Sequence, residues 1–208
     1  MIEIKNCTVS NIENALRGMR NPLDSWEKSD SITTDGKFIL GPNDLKLARK
    51  LCAAGSDHRK FLRQIFVSLD ITAPLYWWKE FDTYKVGTVA NSTSTMHTIH
   101  KKEINESLFS CEKLDAERLA LFKNYLDQIE QLRQQYLIDK DPELWIQMIQ
   151  LLPSSFNQLR TCTMNFETLL NIYHSRKNHK LSEWRQFCDM ILKIEFFDMI
   201  AEISSQSF

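Results

Sequence analysis

The sequence predicts a mixed α/β fold in which a small sheet accompanies a large helical portion. Three observations support this class. Apolar and polar residues alternate over 65–71, as in a strand with one buried face. No glycine follows Gly87, which favours helices in the second half of the chain. Apolar residues also recur at helical spacing over 116–138.

The length and composition limit the possible functions. The 208 residues suit a single domain spanning 1–208. Lys and Arg number 26 against 27 Asp and Glu, whereas a nonspecific nucleic-acid binder carries an excess of basic residues. The five glycines form neither a G-x-G-x-x-G nor a G-x-x-x-x-G-K pattern. A glycine-rich nucleotide-binding loop is therefore excluded, and any phosphate must be held by side chains and helix ends.

Cysteine usage and the absence of long apolar runs suggest the cellular location. The five cysteines are odd in number, widely spaced and without a C-x-x-C pair, which favours free thiols over disulfides or structural zinc. The N-terminal residues contain no run typical of a signal peptide, and no window is apolar enough for a membrane span. We expect a cytoplasmic protein that binds neither a membrane nor a nucleic-acid polymer.

The N-terminal part of the sequence predicts one helix after a mixed segment. Residues 11–39 show no clear periodicity, and Asp35-Gly36 is a turn signal. A helix over 44–54 is expected next, with Asn43 as its cap. Gly55 stands where a left-handed residue would end that helix.

The middle of the chain predicts a strand, a short helix and a loop. The strand over 65–71 precedes Pro74. A helix over 75–85 is expected because bulky side chains recur at i, i+4 and i+7, namely Trp77, Phe81 and Tyr84. Residues 87–95 are mostly small or hydroxylated and are expected to form a loop.

The second half predicts a series of helices. Asp115 is a suitable cap for the helix over 116–138, and Asp141-Pro142-Glu143 is typical of a helix start. Pro153 ends that helix, and 154–164 is expected to be a connecting stretch. Further helices are expected over 165–175 and 182–203. The buried side of the last helix would consist of Trp184, Phe187, Ile191, Ile194 and Phe197.

Asn165, Asn171 and Arg176 form the first candidate site. Asparagine amides can donate and accept hydrogen bonds, and a guanidinium can bind oxyanions, so the three suit a heterocycle with a phosphate. On an ideal helix Asn165 and Asn171 lie ~120° apart, so they flank one ligand only if Asn165 is the helix cap. The alternative is structural: a cap, a surface amide and a solvated basic turn.

Three other groups also have structural explanations. His97-x-x-His100-x-x-Glu103 has spacing that permits a metal site, but it lacks further ligands nearby and also fits a helix start, so we expect no metal. The aromatic residues in 76–84 could stack on a flavin or a base, although such density is more often core. A basic run favours a solvated face, and it consists of Lys46, Arg49, Lys50, His58, Arg59, Lys60 and Arg63.

Leu152-Pro153, followed by Asn165, Asn171, Arg176 and then Trp184, resembles the flavin-dependent thymidylate synthase family. The resemblance extends from about residue 43 to 203 and includes the order of the predicted elements. It implies a small, mainly antiparallel sheet, FAD as cofactor, a homotetramer, and methylation of dUMP or a similar pyrimidine deoxynucleotide at C5. It also assigns Asn165 and Asn171 to the flavin and Arg176 to the nucleotide.

The resemblance implies further ligands and contacts. Methylenetetrahydrofolate would be the carbon donor and NADPH the reductant. Asp82, Tyr84 and Ser92 are additional candidate contacts to the nucleotide. No catalytic residue is identified, since in such enzymes the flavin carries the redox step while the protein positions the partners.

The chain departs from the family in its signature, R-H-R-x-x-S-x-N-E-x-S-x-R-Y. One register places R-H-R at 81–83 and retains none of its arginines, its histidine or its acid. Another places Arg63 and Ser68 on the first arginine and the first serine. Ile149 replaces an arginine near the Leu-Pro pair. Three alternatives follow: the same substrate held differently, another pyrimidine nucleotide, or a catalytically silent scaffold.

Overall fold

The structure is a computed structural model that describes residues 1–202, and it confirms the predicted class. It combines helices with a small antiparallel sheet. In chain order the strands are β1 (Glu3–Ser10), β2 (Ile32–Thr34), β3 (Lys37–Ile39), β4 (Phe66–Pro74), β5 (Thr88–Ser92) and β6 (Asn157–Asn165). The main sheet has the order β1-β4-β6-β5.

The second, two-stranded sheet is an antiparallel hairpin formed by β2 and β3. Ile32 lies opposite Ile39, and Thr34 lies opposite Lys37. The turn between the strands contains Asp35 and Gly36, both with positive φ. Such backbone angles are typical of tight hairpin turns, so the turn predicted at this position is confirmed.

The helices occupy most of the remaining chain. In order they are α1 (Ile12–Met19), α2 (Pro42–Ala53), α3 (Leu75–Phe81), α4 (Thr95–Thr98), α5 (Ala116–Asp139), α6 (Pro142–Leu151), α7 (Phe166–Arg176), α8 (Ser182–Ile191) and α9 (Phe197–Ala201). Short 3-10 helices occur at Asn21–Leu23, Trp26–Lys28, Lys60–Gln64, Ile99–Lys101 and Glu106–Leu108.

Two compact units, interleaved in sequence, make up the described chain. The first contains Met1–Glu3, Asp70–Thr83 and Ala90–Thr161, and the second contains Ile4–Leu69, Tyr84–Val89 and residues 162–202. Each strand of the main sheet has residues in both units. Folding of 1–208 as a single domain stays a prediction.

Helices α5 and α6 contribute to the core of the first unit. That core contains Ile99, Ile104, Phe109, Leu126, Ile129 and Met148. The predicted start of α5 is confirmed, because the side chain of Asp115 accepts a hydrogen bond from the backbone nitrogen of Arg118. Asp141 caps α6 in the same way, through the backbone nitrogen of Glu143.

Helix α2 begins earlier than expected. It starts at Pro42, so Asn43 lies inside the helix and the prediction of Asn43 as cap is wrong. The carboxylate of Asp30 instead accepts hydrogen bonds from the backbone nitrogens of Asn43 and Asp44, at 2.9 and 3.1 Å. Gly55 has a φ of +97°, which confirms the left-handed stop.

Helix α3 is shorter than the predicted helix over 75–85. It ends at Phe81, so Tyr84 follows the helix instead of lying on it. Trp77, Trp78 and Phe81 are almost fully buried. The interpretation of the aromatic group as core is therefore confirmed for these three side chains.

Strands β5 and β6 occur in segments where the sequence predicts no strand. The loop predicted over 87–95 is wrong because it contains β5, and the connecting stretch predicted over 154–164 is wrong because it contains most of β6. Only Cys162 and Met164 are fully buried on β6, and β5 is mostly exposed. Both strands therefore lack the strong apolar alternation that predicts β4.

The final helix is divided in two. The predicted helix over 182–203 is interrupted between α8 and α9, where Phe196 has a φ of +65°. Its predicted buried side is confirmed, since Trp184, Phe187, Ile191, Ile194 and Phe197 are all buried. The expected end at Ile203 lies outside the described residues.

The cysteines form free thiols, as their number and spacing predict. Cys7, Cys52, Cys111, Cys162 and Cys188 are all free, although Cys7 is exposed. Within residues 1–202, no helix has both the length and the hydropathy needed to cross a membrane.

Candidate functional site

The three side chains of the first candidate site all belong to α7 or its cap. Asn165 is the N-cap, and its Oδ1 accepts a hydrogen bond from the backbone nitrogen of Thr168 at 2.9 Å. Asn171 is exposed in mid-helix, and Arg176 is the last helical residue. At 1.5 Å per residue, Asn165 and Arg176 are about 16 Å apart along the axis. They suit the two ends of an extended ligand, not a single ring.

Arg176 is held by two aromatic side chains. Its Nε donates to the phenol oxygen of Tyr84 at 2.8 Å. Its guanidinium carbon lies 4.8 Å from the ring centroid of the fully buried Trp184. A hydrogen bond combined with a cation–π contact restricts the side chain to one orientation.

The segment from Tyr84 to Gly87 also contacts the N-terminal end of α7. The carbonyl oxygen of Val86 lies 3.0 Å from the hydroxyl oxygen of Thr168. Gly87 has a φ of +75°, and a Cβ atom at this position would lie 2.5 Å from Nδ2 of Asn165. Any other residue there would displace the Asn165 amide, so glycine leaves room for that amide.

Arg59 links two residues one turn apart on α7. Its Nε donates to both carboxylate oxygens of Glu167, at 3.2 and 3.0 Å, and its Nη2 donates to Oδ1 of Asn171 at 3.4 Å. The Arg59 and Glu167 side chains are only 17% and 10% exposed. The interpretation of Arg59 as part of a solvated face is therefore wrong, because it pairs with a buried carboxylate 108 residues away.

Ionisable groups around this helix have perturbed pKa values. Burial raises the pKa of the Cys52 thiol to about 12, with Glu167 adding to the increase. Burial likewise raises the pKa of Cys188 to about 12. Burial lowers the pKa of His174, and the positive charges of Lys177 and Arg59 lower it further. Burial therefore favours the protonated form of both thiols, which is the less nucleophilic form, and the uncharged form of His174.

Two predicted contacts belong to the first unit. Asp82 is exposed and accepts a hydrogen bond from Nη1 of Arg160 at 2.7 Å. The Arg160 guanidinium carbon lies 4.2 Å from the ring centroid of Trp78. Ser92 is exposed at the end of β5. The roles of Asp82 and Ser92 in nucleotide binding stay predictions.

The histidines of the second candidate group have separate surroundings. Nδ1 of His97 lies 2.7 Å from the hydroxyl oxygen of Ser94. The His100 ring packs edge-on against Tyr136, with centroids 5.5 Å apart. Across residues 1–202, no three His, Cys, Asp or Glu side chains are arranged to hold a metal ion.

The first unit also contains a cavity of about 370 Å³. Four threonines and Lys102 share its lining with apolar residues such as Phe156, the threonines being Thr72, Thr93, Thr95 and Thr98. Its lining includes no arginine. Because guanidinium groups are well suited to phosphate binding, the surface of α7 is the stronger candidate for a nucleotide.

Four residues of this site were not predicted from the sequence: Arg59, Gly87, Glu167 and Thr168. Arg59 lies in a run of basic residues that otherwise suits a solvated surface. The positive φ of Gly87 and the burial of Glu167 depend on contacts between distant segments. A lone glycine at the start of the predicted loop is the available signal, and it is weak.

The fold is similar to that of solved flavin-dependent thymidylate synthases. Thymidylate synthase X from Helicobacter pylori, in a crystal structure with FAD and dUMP, is similar over 100% of both chains, with a TM-score of 0.75 and 15% identity. A second structure of the Helicobacter pylori enzyme, complexed with FAD and dUMP, has a TM-score of 0.71 and 17% identity. This second match covers 97% of this chain and 98% of the other. No model of a known protein family matches the sequence, and no curated protein matches it.

Proposed function

We propose that this protein is a flavin-dependent enzyme that transfers a one-carbon unit to C5 of a pyrimidine deoxynucleotide, converting dUMP to dTMP or catalysing a close variant. One observation carries the proposal. On a fold shared with a synthase that binds FAD and dUMP, Asn165, Asn171 and Arg176 occur together on α7, with Arg176 fixed by Tyr84 and Trp184.

The polar groups along α7 fit FAD. Amide and guanidinium groups can donate hydrogen bonds to the carbonyl and phosphate oxygens of such a ligand. The absent side chain of Gly87 leaves space beside Nδ2 of Asn165. We assign Asn165 and Asn171 to FAD, which when bound supplies the redox chemistry. The residues of α7 bind and orient it.

Arg176 is the proposed contact to the nucleotide phosphate. Its guanidinium is kept in place by Tyr84 and Trp184, so little conformational entropy is lost when it binds an oxyanion. Tyr84 is accordingly assigned to the nucleotide site with Arg176. Asp82 and Ser92 are retained as further proposed contacts, on the basis of the family resemblance alone.

The co-substrates and assembly follow from the same resemblance. Methylenetetrahydrofolate would supply the carbon unit and NADPH the reducing equivalents. The enzyme would act as a cytoplasmic homotetramer. These assignments depend on the shared fold and are tested separately from flavin binding.

The substituted signature supports two alternatives. Each missing arginine removes hydrogen bonds to a phosphate worth about 1.5–3 kcal/mol, and Ile149 cannot replace such a contact. One alternative is an enzyme that acts on another pyrimidine nucleotide. The other is a catalytically silent scaffold or interaction protein on the same fold.

Flavin content and tritium release distinguish these functions. The purified protein should be yellow or should bind added FAD. With methylenetetrahydrofolate and NADPH, it should then release tritium from dUMP labelled at C5. FAD binding without tritium release from dUMP would favour another nucleotide, which labelled dCMP would test. A colourless protein that gains no thermal stability from FAD would support the silent scaffold.

A further inference from the structure

We propose that Arg59 is a positioning residue that makes Asn171 a hydrogen-bond donor, so that the ligand group beside Asn171 must be an acceptor. The inference deepens the proposed function and rests on it, because it states which part of a flavin this face of α7 can recognise. It also assigns a role to an arginine to which the family resemblance gives none.

The orientation of the Asn171 amide follows from the chemistry of its partner. A guanidinium has only hydrogen-bond donors, so the oxygen of the amide must face Arg59, as its 3.4 Å contact with Nη2 requires. The Nδ2 group then lies on the opposite side of the amide. Among residues 1–202 it has no hydrogen-bond partner, and Asn171 is exposed.

The side-chain amide of Asn165 also presents its nitrogen as the free donor, but for a different reason. Its Oδ1 accepts from the backbone nitrogen of Thr168 at 2.9 Å, and a backbone N–H can only donate. Its Nδ2 therefore faces away from the helix, beside Gly87. Both asparagines thus offer N–H groups, which suit the carbonyl oxygens, the unprotonated ring nitrogens or the phosphate oxygens of a flavin nucleotide.

Arg59 is well placed to hold Asn171 because Glu167 fixes the position of the Arg59 side chain. Glu167 lies in the first turn of α7, where a negative charge interacts favourably with the helix dipole. Its buried carboxylate binds Nε of Arg59 through both oxygens. Nη2 is consequently directed at the residue one turn later, Asn171.

Asn171→Asp tests the donor directly. Aspartate keeps an oxygen facing Arg59 and has nearly the same shape, but it cannot donate a hydrogen bond when ionised. We expect the melting temperature of the free protein to be maintained, because the pair with Arg59 gains opposite charge. The affinity for FAD should fall at least about tenfold.

The double variant Arg59→Met, Glu167→Gln tests the positioning role without leaving a buried charge unpaired. It should fold and bind FAD several-fold more weakly, because the Asn171 amide is then free to rotate. In the double-variant background, adding Asn171→Asp should weaken FAD binding less than it does in the wild type. Lys60→Met is the matched control. It removes an exposed positive charge next to Arg59, at the start of the 3-10 helix Lys60–Gln64, and should leave FAD affinity unchanged.

Titration of FAD into each purified full-length protein, with melting curves in parallel, separates the outcomes. Wild-type affinity in Asn171→Asp would overturn the inference while the proposed function stands. An equal loss in Lys60→Met and in the double variant would show that the loss is not specific to the pair formed by Arg59 and Glu167, which also overturns it. If the wild type does not bind FAD, the proposed function itself fails, and the inference fails with it.

Discussion

Arg176 donates a hydrogen bond from Nε to the phenol oxygen of Tyr84 across 2.8 Å, although 92 residues separate them in sequence. The two rings that contact this guanidinium, Tyr84 and Trp184, have centroids 6.1 Å apart. One end of α7 therefore presents a cation whose direction is fixed before any ligand binds. In the proposed enzyme this preorganisation favours binding of a nucleotide phosphate.

Tyr84→Phe should weaken binding of dUMP to the FAD-loaded protein by about tenfold, because the hydrogen bond to the charged side chain is lost. The ring is retained, so the contacts with Trp184 and the fold should persist. Isothermal titration calorimetry measures the change in dUMP affinity. Unchanged affinity would mean that the hydroxyl does not orient Arg176.

Arg176→Ala should reduce dUMP affinity more strongly than Tyr84→Phe while leaving FAD retention largely intact. The guanidinium is assigned to the nucleotide, whereas the two asparagines are assigned to the flavin. Lys177→Ala is the control, since it removes an exposed positive charge one residue away. Equal losses of dUMP and FAD in Arg176→Ala would show that these roles are wrongly divided.

Gly87→Ala should lower both stability and FAD affinity. Gly36 provides a close control, because its φ of +72° matches the +75° of Gly87 but no atom lies within 4 Å of its missing Cβ. Gly36→Ala should therefore cost about 1–2 kcal/mol from the backbone alone and leave FAD binding unaffected. Gly87→Ala should be more destabilising, because its Cβ displaces the amide of Asn165.

Urea unfolding and FAD titration measure both effects in the two variants. If Gly87→Ala is no worse than Gly36→Ala in both assays, the contact between residue 87 and Asn165 has no functional importance.

Much of this arrangement was predictable from local sequence signals. Asn165 as cap of α7 and Asp115 as cap of α5 are short-range features, since each side chain binds a backbone nitrogen three residues later. The burial pattern of β4 follows from alternation within nine residues. Such signals can be recognised because the interacting groups are neighbours in the chain.

Long-range pairs could not be predicted in this way. The sequence around Arg59 contains nothing that specifies Glu167 as its partner, and the two are 108 residues apart. Strand β6 lies between β4 and β5 in the main sheet, and its buried apolar residues are limited to Cys162 and Met164. In both cases the tertiary structure decides the role of residues whose local sequence is ambiguous.

Asp44 should control acid stability of the second unit. This fully buried carboxylate binds the buried Arg20, at 2.6 Å, together with Ser29 and Ser31. Burial alone would raise its pKa, but hydrogen bonds from Ser31, Ser29 and Arg20 outweigh burial and leave the pKa below its usual value. Asp44→Asn should cost about 3–5 kcal/mol at pH 7, because it breaks a buried ion pair.

The pH dependence has a definite sign. Since the folded-state pKa of Asp44 is lowered, its contribution is complete well above the unfolded value of about 3.9. It is lost as the pH falls below that value. The stability difference between wild type and Asp44→Asn should be constant from pH 7 to about 5 and shrink below pH 4. The exposed Asp127→Asn should show neither effect, and a pH-independent difference for Asp44→Asn would contradict the assignment.

Binding of a flavin nucleotide by the polar groups of α7 is tested by FAD titration of the wild type beside an Asn165→Asp, Asn171→Asp double variant. Each substitution keeps the oxygen that faces Thr168 or Arg59 and removes the amide donor. The predicted result is saturable binding by the wild type and loss of binding by a folded variant. Absence of binding by the wild type, or equal binding by both proteins, would contradict the claim.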